Sequence, residues 1–272
     1  MTIFPNAKIN IGLSITGKRD DGYHNIESLF YPVGARDALE FVQKQTWSEA
    51  DEFTQTGIET GCGINENIIT KTIKLLRKSH NIPALKIHLH KAIPPGSGLG
   101  GGSSDAVFMI RYLNRYFDLD LRIEDMNNMA LELGSDCKFF IKNTPALVRG
   151  RGEIIQETDI SLSGMYIYIV YPGIHISTAE AYRMVKINPC RESIEEKIKL
   201  PVDQWKDSIS NDFQAPVISR HPIIGEIIDI IYNQGASYCS LSGSGSAVYG
   251  IFKDMPGDIF AGRNYWTWKG KL

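Results

Sequence analysis

Pro94-Pro95-Gly96-Ser97-Gly98-Leu99-Gly100-Gly101-Gly102-Ser103-Ser104 is the stretch on which the reading of this chain turns. Before it, Leu85, Ile87 and Leu89 alternate with Lys86, His88 and His90, the period of a strand. After it, Val107, Ile110, Leu113 and Phe117 recur at helical spacing. Five of the seven residues from Gly96 to Gly102 are glycine, so the backbone can curl with its N–H groups unobstructed. A helix N-terminus adds unpaired N–H donors and the positive end of the helix dipole, a ready site for phosphate. Ser103 and Ser104 can add hydroxyls. The strand–loop–helix context therefore predicts a phosphate cradle rather than a flexible connector.

Several phosphate loops have this look, and their companions separate them. A Walker A loop ends in Gly-Lys-Ser/Thr, and no lysine occurs here. Gly96, Gly98 and Gly101 match the dinucleotide spacing G-x-G-x-x-G, but no acidic residue ends a following strand where a ribose would need one. Protein kinases share the glycines, yet their H-R-D and D-F-G elements are absent.

Working outward, Ala7, Ile9, Ile11, Leu13 and Ile15 share one face of a strand whose other face carries Lys8, Asn10, Gly12 and Ser14. Asp20-Asp21-Gly22 reads as a turn. Further strands are expected over Glu27 to Val33, Ala38 to Gln43, Met165 to Tyr171, Ala236 to Leu241, Ala247 to Phe252 and Tyr265 to Trp268. Helices are expected over Asn67 to Lys78, Met126 to Leu133, Thr178 to Val185 and Ile223 to Tyr232. Gly134 reads as a C′ glycine. Gly150-Arg151-Gly152 reads as a linker or hairpin turn. Strands and helices mix without strict alternation, so the fold class is α+β, with domains at 1–153 and 154–272.

The chain has 272 residues, 43% hydrophobic and 22% charged, with a formal net charge of -2. That balance gives no general field for nucleic acid or anionic lipid, so an anionic ligand needs a local site. No signal peptide is expected from MTIFPNAKIN, and runs such as MYIYIVY are too short to span a bilayer. Cys62, Cys137, Cys190 and Cys239 are far apart, which suits isolated thiols in the cytoplasm. His88 and His90 share a strand face without a third ligand nearby, so a strand edge is preferred to zinc.

The loop from Pro94 to Ser104 closely resembles the ATP-binding motif of the GHMP kinases, named for galactose, homoserine, mevalonate and phosphomevalonate. Pro5-Asn6-Ala7-Lys8-Ile9-Asn10-Ile11-Gly12-Leu13 resembles the family's N-terminal motif. Leu241-Ser242-Gly243-Ser244-Gly245-Ser246-Ala247 resembles its C-terminal one. Asp21-Gly22-Tyr23-His24, Leu133-Gly134-Ser135-Asp136, Tyr171-Pro172-Gly173 with Tyr182, and Ser210-Asn211-Asp212 are similar to the branch acting on a diphosphocytidyl-methylerythritol. The resemblance implies an N-terminal domain like the second domain of ribosomal protein S5, a ferredoxin-like C-terminal domain, and an ATP–Mg2+ cleft. It implies a small cytidine diphosphate substrate and a monomer or weak homodimer, with no nucleic acid or membrane partner. Another GHMP kinase and a non-catalytic nucleotide-binding relative are the competing readings.

By the same resemblance, Lys8 polarises the attacking hydroxyl or holds the transferring phosphoryl group, and Asp136 is the general base. Residues Pro94, Pro95, Gly96, Ser97, Gly98, Leu99, Gly100, Gly101, Gly102, Ser103 and Ser104 bind ATP, with Lys91 and Asn67 towards the adenine. Tyr23 and Tyr182 sandwich the cytosine, His24 meets its edge, and Asn10, Ser242 and Gly243 line the acceptor side. No acidic residue is singled out as a magnesium ligand. Two departures stand out. Cys137-Lys138 follows Asp136 where the family has a small or apolar residue and then proline. After Phe252, only Pro256 to Gly262 stands where the family has a fuller helix.

Overall fold

In a computed structural model, residues 1–45, 50–185, 187 and 192–272 are described. Cys190 lies outside them. In chain order the elements begin with β1 (Thr2–Ile3), β2 (Asn6–Lys18), β3 (His24–Arg36), β4 (Ala38–Gln43) and β5 (Glu52–Gly57). There follow α1 (Ile68–Leu76), β6 (Leu85–Lys91), α2 (Gly101–Tyr116), α3 (Ile123–Leu133) and α4 (Phe139–Lys142). Then come β7 (Ala146–Gly150), β8 (Ile154–Glu157), β9 (Tyr166–Tyr171), α5 (Thr178–Met184), α6 (Ile194–Lys197), α7 (Trp205–Ser208) and α8 (Gln214–Arg220). The chain ends with α9 (Pro222–Asn233), β10 (Tyr238–Leu241), β11 (Val248–Phe252) and β12 (Trp266–Lys271). The expected α+β mixture is what forms. Among the described residues no helix is long and apolar enough to cross a membrane.

The chain divides into two compact units that interleave in sequence. The first comprises 1–7, 36–95 and 100–143, the second 8–35, 96–99 and 144–272. In the first unit a sheet of order β1-β4-β6-β5 has β5 parallel to β6 and the other pairs antiparallel. α1 begins cleanly because the Asn67 side chain accepts from the Ile69 N–H at 2.9 Å. Its Ile69, Ile73 and Leu76 fall on one face and join Leu39, Phe41, Ile87, Leu89, Ile110 and Leu113 in the core. Each such side chain contributes roughly 1.5–3 kcal/mol on burial.

The second unit holds two further sheets, β2-β3-β7-β8 and β10-β11-β9-β12. β7 and β8 are antiparallel and joined through Gly150-Arg151-Gly152, the expected hairpin turn. β2 is buried from Asn6 to Ile15 on both faces, so its polar face does not meet solvent as a simple edge strand would. Instead, Leu13 bridges to Asn211, and Leu13 and Ile15 enter a core with Val170, Phe213, Ile227, Ile231 and Val248. The short C-terminal end carries a turn in place of a fuller helix, and that turn buries Phe260 in this core.

Gly134 corrects one expectation. Its φ of 169° is extended backbone, not the left-handed C′ geometry, although its N–H still donates to the Ala130 carbonyl. A Cβ there would lie 3.3 Å from Cys137 Sγ, so close packing is what the small residue supplies.

Candidate active site

In the second unit, Lys8 and Asn10 are 2% and 1% exposed. Lys8 Nζ donates to Asn10 Oδ1 at 2.5 Å and sits 4.5 Å from the centre of the Phe30 ring. Asn10 Nδ2 donates to Ser28 Oγ at 3.1 Å, and Ser28 Oγ donates to the Gly12 carbonyl at 2.6 Å. A lysine this buried is held in place for its charge, because a solvent lysine would keep its ammonium in water.

Residues 96–99 lie against both β2 and the 241–247 loop. The Lys8 N–H donates to the Leu99 carbonyl at 2.9 Å, and the Ala247 N–H to the Ser97 carbonyl at 3.0 Å. Ser242 Oγ donates to the Gly98 carbonyl at 2.9 Å and accepts from the Asn10 N–H at 3.3 Å. Gly243 is in the left-handed region, φ 58°, and a Cβ there would stand 3.3 Å from Asn10 Oδ1. Three stretches far apart in sequence thus converge within one unit. Asn211, which the sequence reading did not place in the site, ties the 241–247 loop down by donating to the Leu241 and Gly243 carbonyls, each at 2.8 Å.

Gly98 has φ +86°, and a Cβ there would stand 2.1 Å from the Ser242 carbonyl oxygen. Gly98→Ala is therefore expected to destabilise the chain by at least about 1–3 kcal/mol through backbone strain. A differential scan should show the melting temperature several degrees lower, at ~2–4 °C per kcal/mol for a chain of this size. An unchanged melting temperature would mean the loop is not pinned as described.

The aromatic residues fall into two groups. His24 and Tyr182 stack with ring centres 4.9 Å apart and planes 20° apart, and Tyr182 meets Phe213 edge-on at 5.0 Å. Tyr23 is 57% exposed with the Arg151 guanidinium 4.3 Å over its ring, and Arg151 stands 3.6 Å from Asp21. The structure therefore brings Tyr182 to His24, and Tyr23 to Arg151.

In the first unit, Gly100 adopts a left-handed conformation, φ 71°, immediately before α2. Its carbonyl accepts the Ser104 N–H at 2.9 Å, leaving the N–H groups of the first turn pointing out of the helix end. Ser104 Oγ is buried without a hydrogen-bond partner. Lys91 is 2% exposed and ion-paired with Asp37 and Asp105, which uses its charge internally. A pocket of about 370 Å³ opens beside Asn67, lined also by Phe53, Gln55, Thr60, Cys62 and Ile64. A Cβ on Gly102 would lie 4.0 Å from Ile68 Cγ2, so the residue after Asn67 reaches the loop.

Asp136 precedes α4, whose cap position is Lys138, so Asp136 is not the N-cap of that helix. Lys138 has φ −55°, the value a proline would impose, which explains how α4 starts without one. Cys137 is fully buried, and burial pushes its thiol up to about 12. It is a packing residue, not a reactive one. His88 Nε2 and His90 Nδ1 each lie 2.9 Å from Thr56 Oγ1. Among the described residues no group of three or more His, Cys, Asp or Glu side chains is placed to hold a metal ion.

A buried lysine against the glycine loop in one unit and an open helix start after a left-handed glycine in the other are each equipment of phosphoryl transfer. The family comparisons agree. Residues 67–147 match the family described as GHMP kinases N terminal domain, and residues 198–261 match GHMP kinases C terminal. The chain belongs to the GHMP kinase family. The kinase is 46% identical over 253 residues to 4-diphosphocytidyl-2-C-methyl-D-erythritol kinase of Parabacteroides distasonis, covering 93% of this chain and 92% of that one. It is also 46% identical to the kinase of the same name from Bacteroides thetaiotaomicron, over the full length of both chains. Among solved structures, a 4-(cytidine 5'-diphospho)-2C-methyl-D-erythritol kinase superposes with a TM-score of 0.78 at 27% identity, covering 92% of this chain and 90% of that one. Mevalonate kinase of Methanococcus jannaschii, at 14% identity and a TM-score of 0.70 over 100% of this chain and 98% of that one, shares the fold.

Proposed function

We propose that this kinase transfers the γ-phosphoryl group of ATP to the 2-hydroxyl of 4-diphosphocytidyl-2-C-methyl-D-erythritol. The products are the 2-phosphate and ADP, in the non-mevalonate route to isoprenoid precursors. The observation that carries this reading is the convergence of Lys8, Asn10, Gly98 and Ser242 in the unit that also holds the His24–Tyr182 pair. The full-length identity to kinases of that name supports the choice of acceptor.

ATP supplies the phosphoryl group, and magnesium accompanies it on the phosphates. The left-handed Gly100 and the open first turn of α2 fit a phosphate chain, and the pocket beside Asn67 fits a flat base. Magnesium held by a nucleotide draws most of its oxygens from phosphates and water, so it needs no all-protein cage. Lys8 holds the transferring group with its ammonium, and Asp136 takes the proton from the attacking hydroxyl. Tyr23 and Tyr182 offer aromatic faces to the cytosine, and His24, next to Tyr23 in sequence and stacked on Tyr182, meets its edge. Nucleotide binding is assigned to a domain of residues 1–153, which also lends Asn10, Tyr23 and His24 to the acceptor, and the rest of the acceptor side to 154–272; the matched spans at 67–147 and 198–261 lie within these bounds. The enzyme is placed in the cytoplasm as a monomer or weak homodimer.

The test is ADP release with ATP and magnesium against four acceptors: the diphosphocytidyl compound, mevalonate, homoserine and galactose. Turnover on the first alone is expected. Turnover on another would replace the acceptor, and ATP binding without ADP release on any would replace catalysis by a binding role. Tyr182→Ala should raise KM for the cytidine substrate about 5- to 150-fold, as loss of about 1–3 kcal/mol of stacking implies, with kcat nearly unchanged. An unaltered KM removes Tyr182 from the cytosine site.

A further inference from the structure

Three charged side chains of the first unit meet behind the first turn of α2. Lys91 ends β6, Asp37 lies between β3 and β4, and Asp105 is on α2; they are 2%, 1% and 1% exposed. Lys91 Nζ donates to Asp37 Oδ2 and, at 2.8 Å, to Asp105 Oδ2. Asp37 Oδ1 accepts the N–H groups of Ala92 and Ile93 at 2.6 and 2.8 Å. Asp105 Oδ1, in contrast, is buried with no partner. The cluster touches the glycine loop, since a Cβ on Gly101 would lie 3.3 Å from Lys91 Nζ.

Two ionised carboxylates against one ammonium leave a net charge of -1 in a dry interior. Such a site holds a proton in preference to a bare charge, and like charges sharing one cation raise the affinity of one of them for it. Asp37 has three donors and Asp105 has one, so the proton belongs on Asp105. Burial, then Lys91 in opposition, then Asp37 act on its carboxyl and leave it pushed up to about 7. Lys91 is held above its ordinary value, burial working against it and the two carboxylates prevailing. Among the described residues, the side chains that the helices packed on α2 bury are uncharged: Ile69, Thr72, Ile73, Leu75 and Leu76 of α1, Ala130 of α3, and Phe139, Phe140 and Ile141 of α4, while their Lys71, Lys74, Glu124, Asp125, Glu132 and Lys142 are not among those buried. The Cys137 thiol beside Ser103 stays protonated.

We propose that Asp105 is a positioning residue that links nucleotide binding to a proton. With Asp105 protonated the cluster is neutral, and the N–H groups of the loop meet the phosphates unopposed. With Asp105 ionised, a buried negative charge behind the loop repels them. This rests on the reading that the nucleotide phosphates sit on Gly100 to Ser104. The sign follows: affinity for ATP is highest below the titration of Asp105 and falls as pH rises through it. Binding above that point takes up a proton.

The experiment is calorimetric titration of the full chain with ATP and magnesium from pH 6 to 8.5, in paired buffers of different ionisation heat. Wild type and Asp105→Asn are compared, so that protonation of the nucleotide itself cancels. The asparagine keeps an oxygen for Lys91 to donate to. The wild type is expected to lose about tenfold in affinity across the range and to take up a fraction of a proton per ATP near pH 8. Asp105→Asn should show a nearly flat affinity and less proton uptake. Equal proton counts and equal pH slopes in the two proteins would overturn the proposal. Should Asp105→Asn not fold, the wild type decides alone, because no uptake beyond that of magnesium–ATP also overturns it. No ATP binding by the wild type at any pH would overturn the nucleotide reading, and the proton link with it. ATP binding without a proton link overturns only the latter.

Discussion

Asp136→Asn is expected to lower kcat by about 10²- to 10⁴-fold, the usual contribution of a positioned general base. In barrier terms that is roughly 3–5 kcal/mol. The loss is bounded because phosphoryl transfer rests mainly on positioning and charge neutralisation, which the substitution leaves in place. The fold should survive. Asp136 does not cap α4, and the segment around it is anchored by Cys137, Phe139 and Phe140, which are 0%, 2% and 0% exposed. Single-turnover measurement at saturating ATP and acceptor, with a thermal scan of the same preparation, separates chemistry from stability. A variant that turns over at a near-normal rate would strip Asp136 of the role.

Lys91→Met should cost stability rather than chemistry, by about 3–5 kcal/mol, because it leaves Asp37 and Asp105 buried without their cation. The pH dependence has a defined sign. Asp105 is pushed up to about 7 by burial first, with Lys91 opposing and Asp37 reinforcing, from an ordinary value of 3.8. A carboxyl whose folded value is raised contributes stability that is fully present below its unfolded value and is lost as pH rises to the folded one. Without the ammonium that loss deepens, so the deficit of Lys91→Met should grow between about pH 4 and pH 7 and above. Urea midpoints at pH 5.5 and pH 8 measure it. A deficit under 1 kcal/mol, or one that shrinks as pH rises, would mean that the cluster is not carrying buried charge.

Local pattern made much of the fold legible. The alternation in Leu85 to His90, the run from Ala38 to Gln43 and the helical spacing within Asn67 to Lys78 are one-dimensional signals of two-dimensional burial, and β6, β4 and α1 formed within a few residues of where the pattern placed them. β5 and β8 were not read, because Glu52–Gly57 and Ile154–Glu157 bury almost nothing and carry little apolar alternation. Gly134 was read for its conformational freedom when its small size was what mattered. α6 and α7 are only 4 residues long each, too short to show a period.

The site was legible to a different depth. Lys8, Asn10, the loop and Ser242 were reached through motif resemblance, and the hydrogen bonds among Lys8, Asn10, Gly98 and Ser242 follow that grouping. Asn211 could have been promoted from its place in Ser210-Asn211-Asp212, since Asn is suited to bridging two backbone carbonyls with one amide. The Lys91 cluster could not. Its carboxylates come from 54 and 14 residues away, and nothing local marks Asp37 or Asp105 as buried.

The interleaving of the two units also has a bearing on synthesis. The Tyr249 hydroxyl donates to the Asn10 carbonyl across 239 residues, and β2 leaves the ribosome among the first segments made. At about 5–20 residues per second, β2 must wait on the order of 10–50 s for that partner. The stretches of the first unit, 1–7, 36–95 and 100–143, by contrast, are all present once Asn143 emerges. A nascent chain halted soon after Asn143 would therefore carry every stretch of the first unit and β2 beside β3, but none of the later residues that bury Leu13 and Ile15. Leu13 and Ile15 of β2 gain their core partners last, because Val170, Phe213, Ile227, Ile231 and Val248 are all made after it.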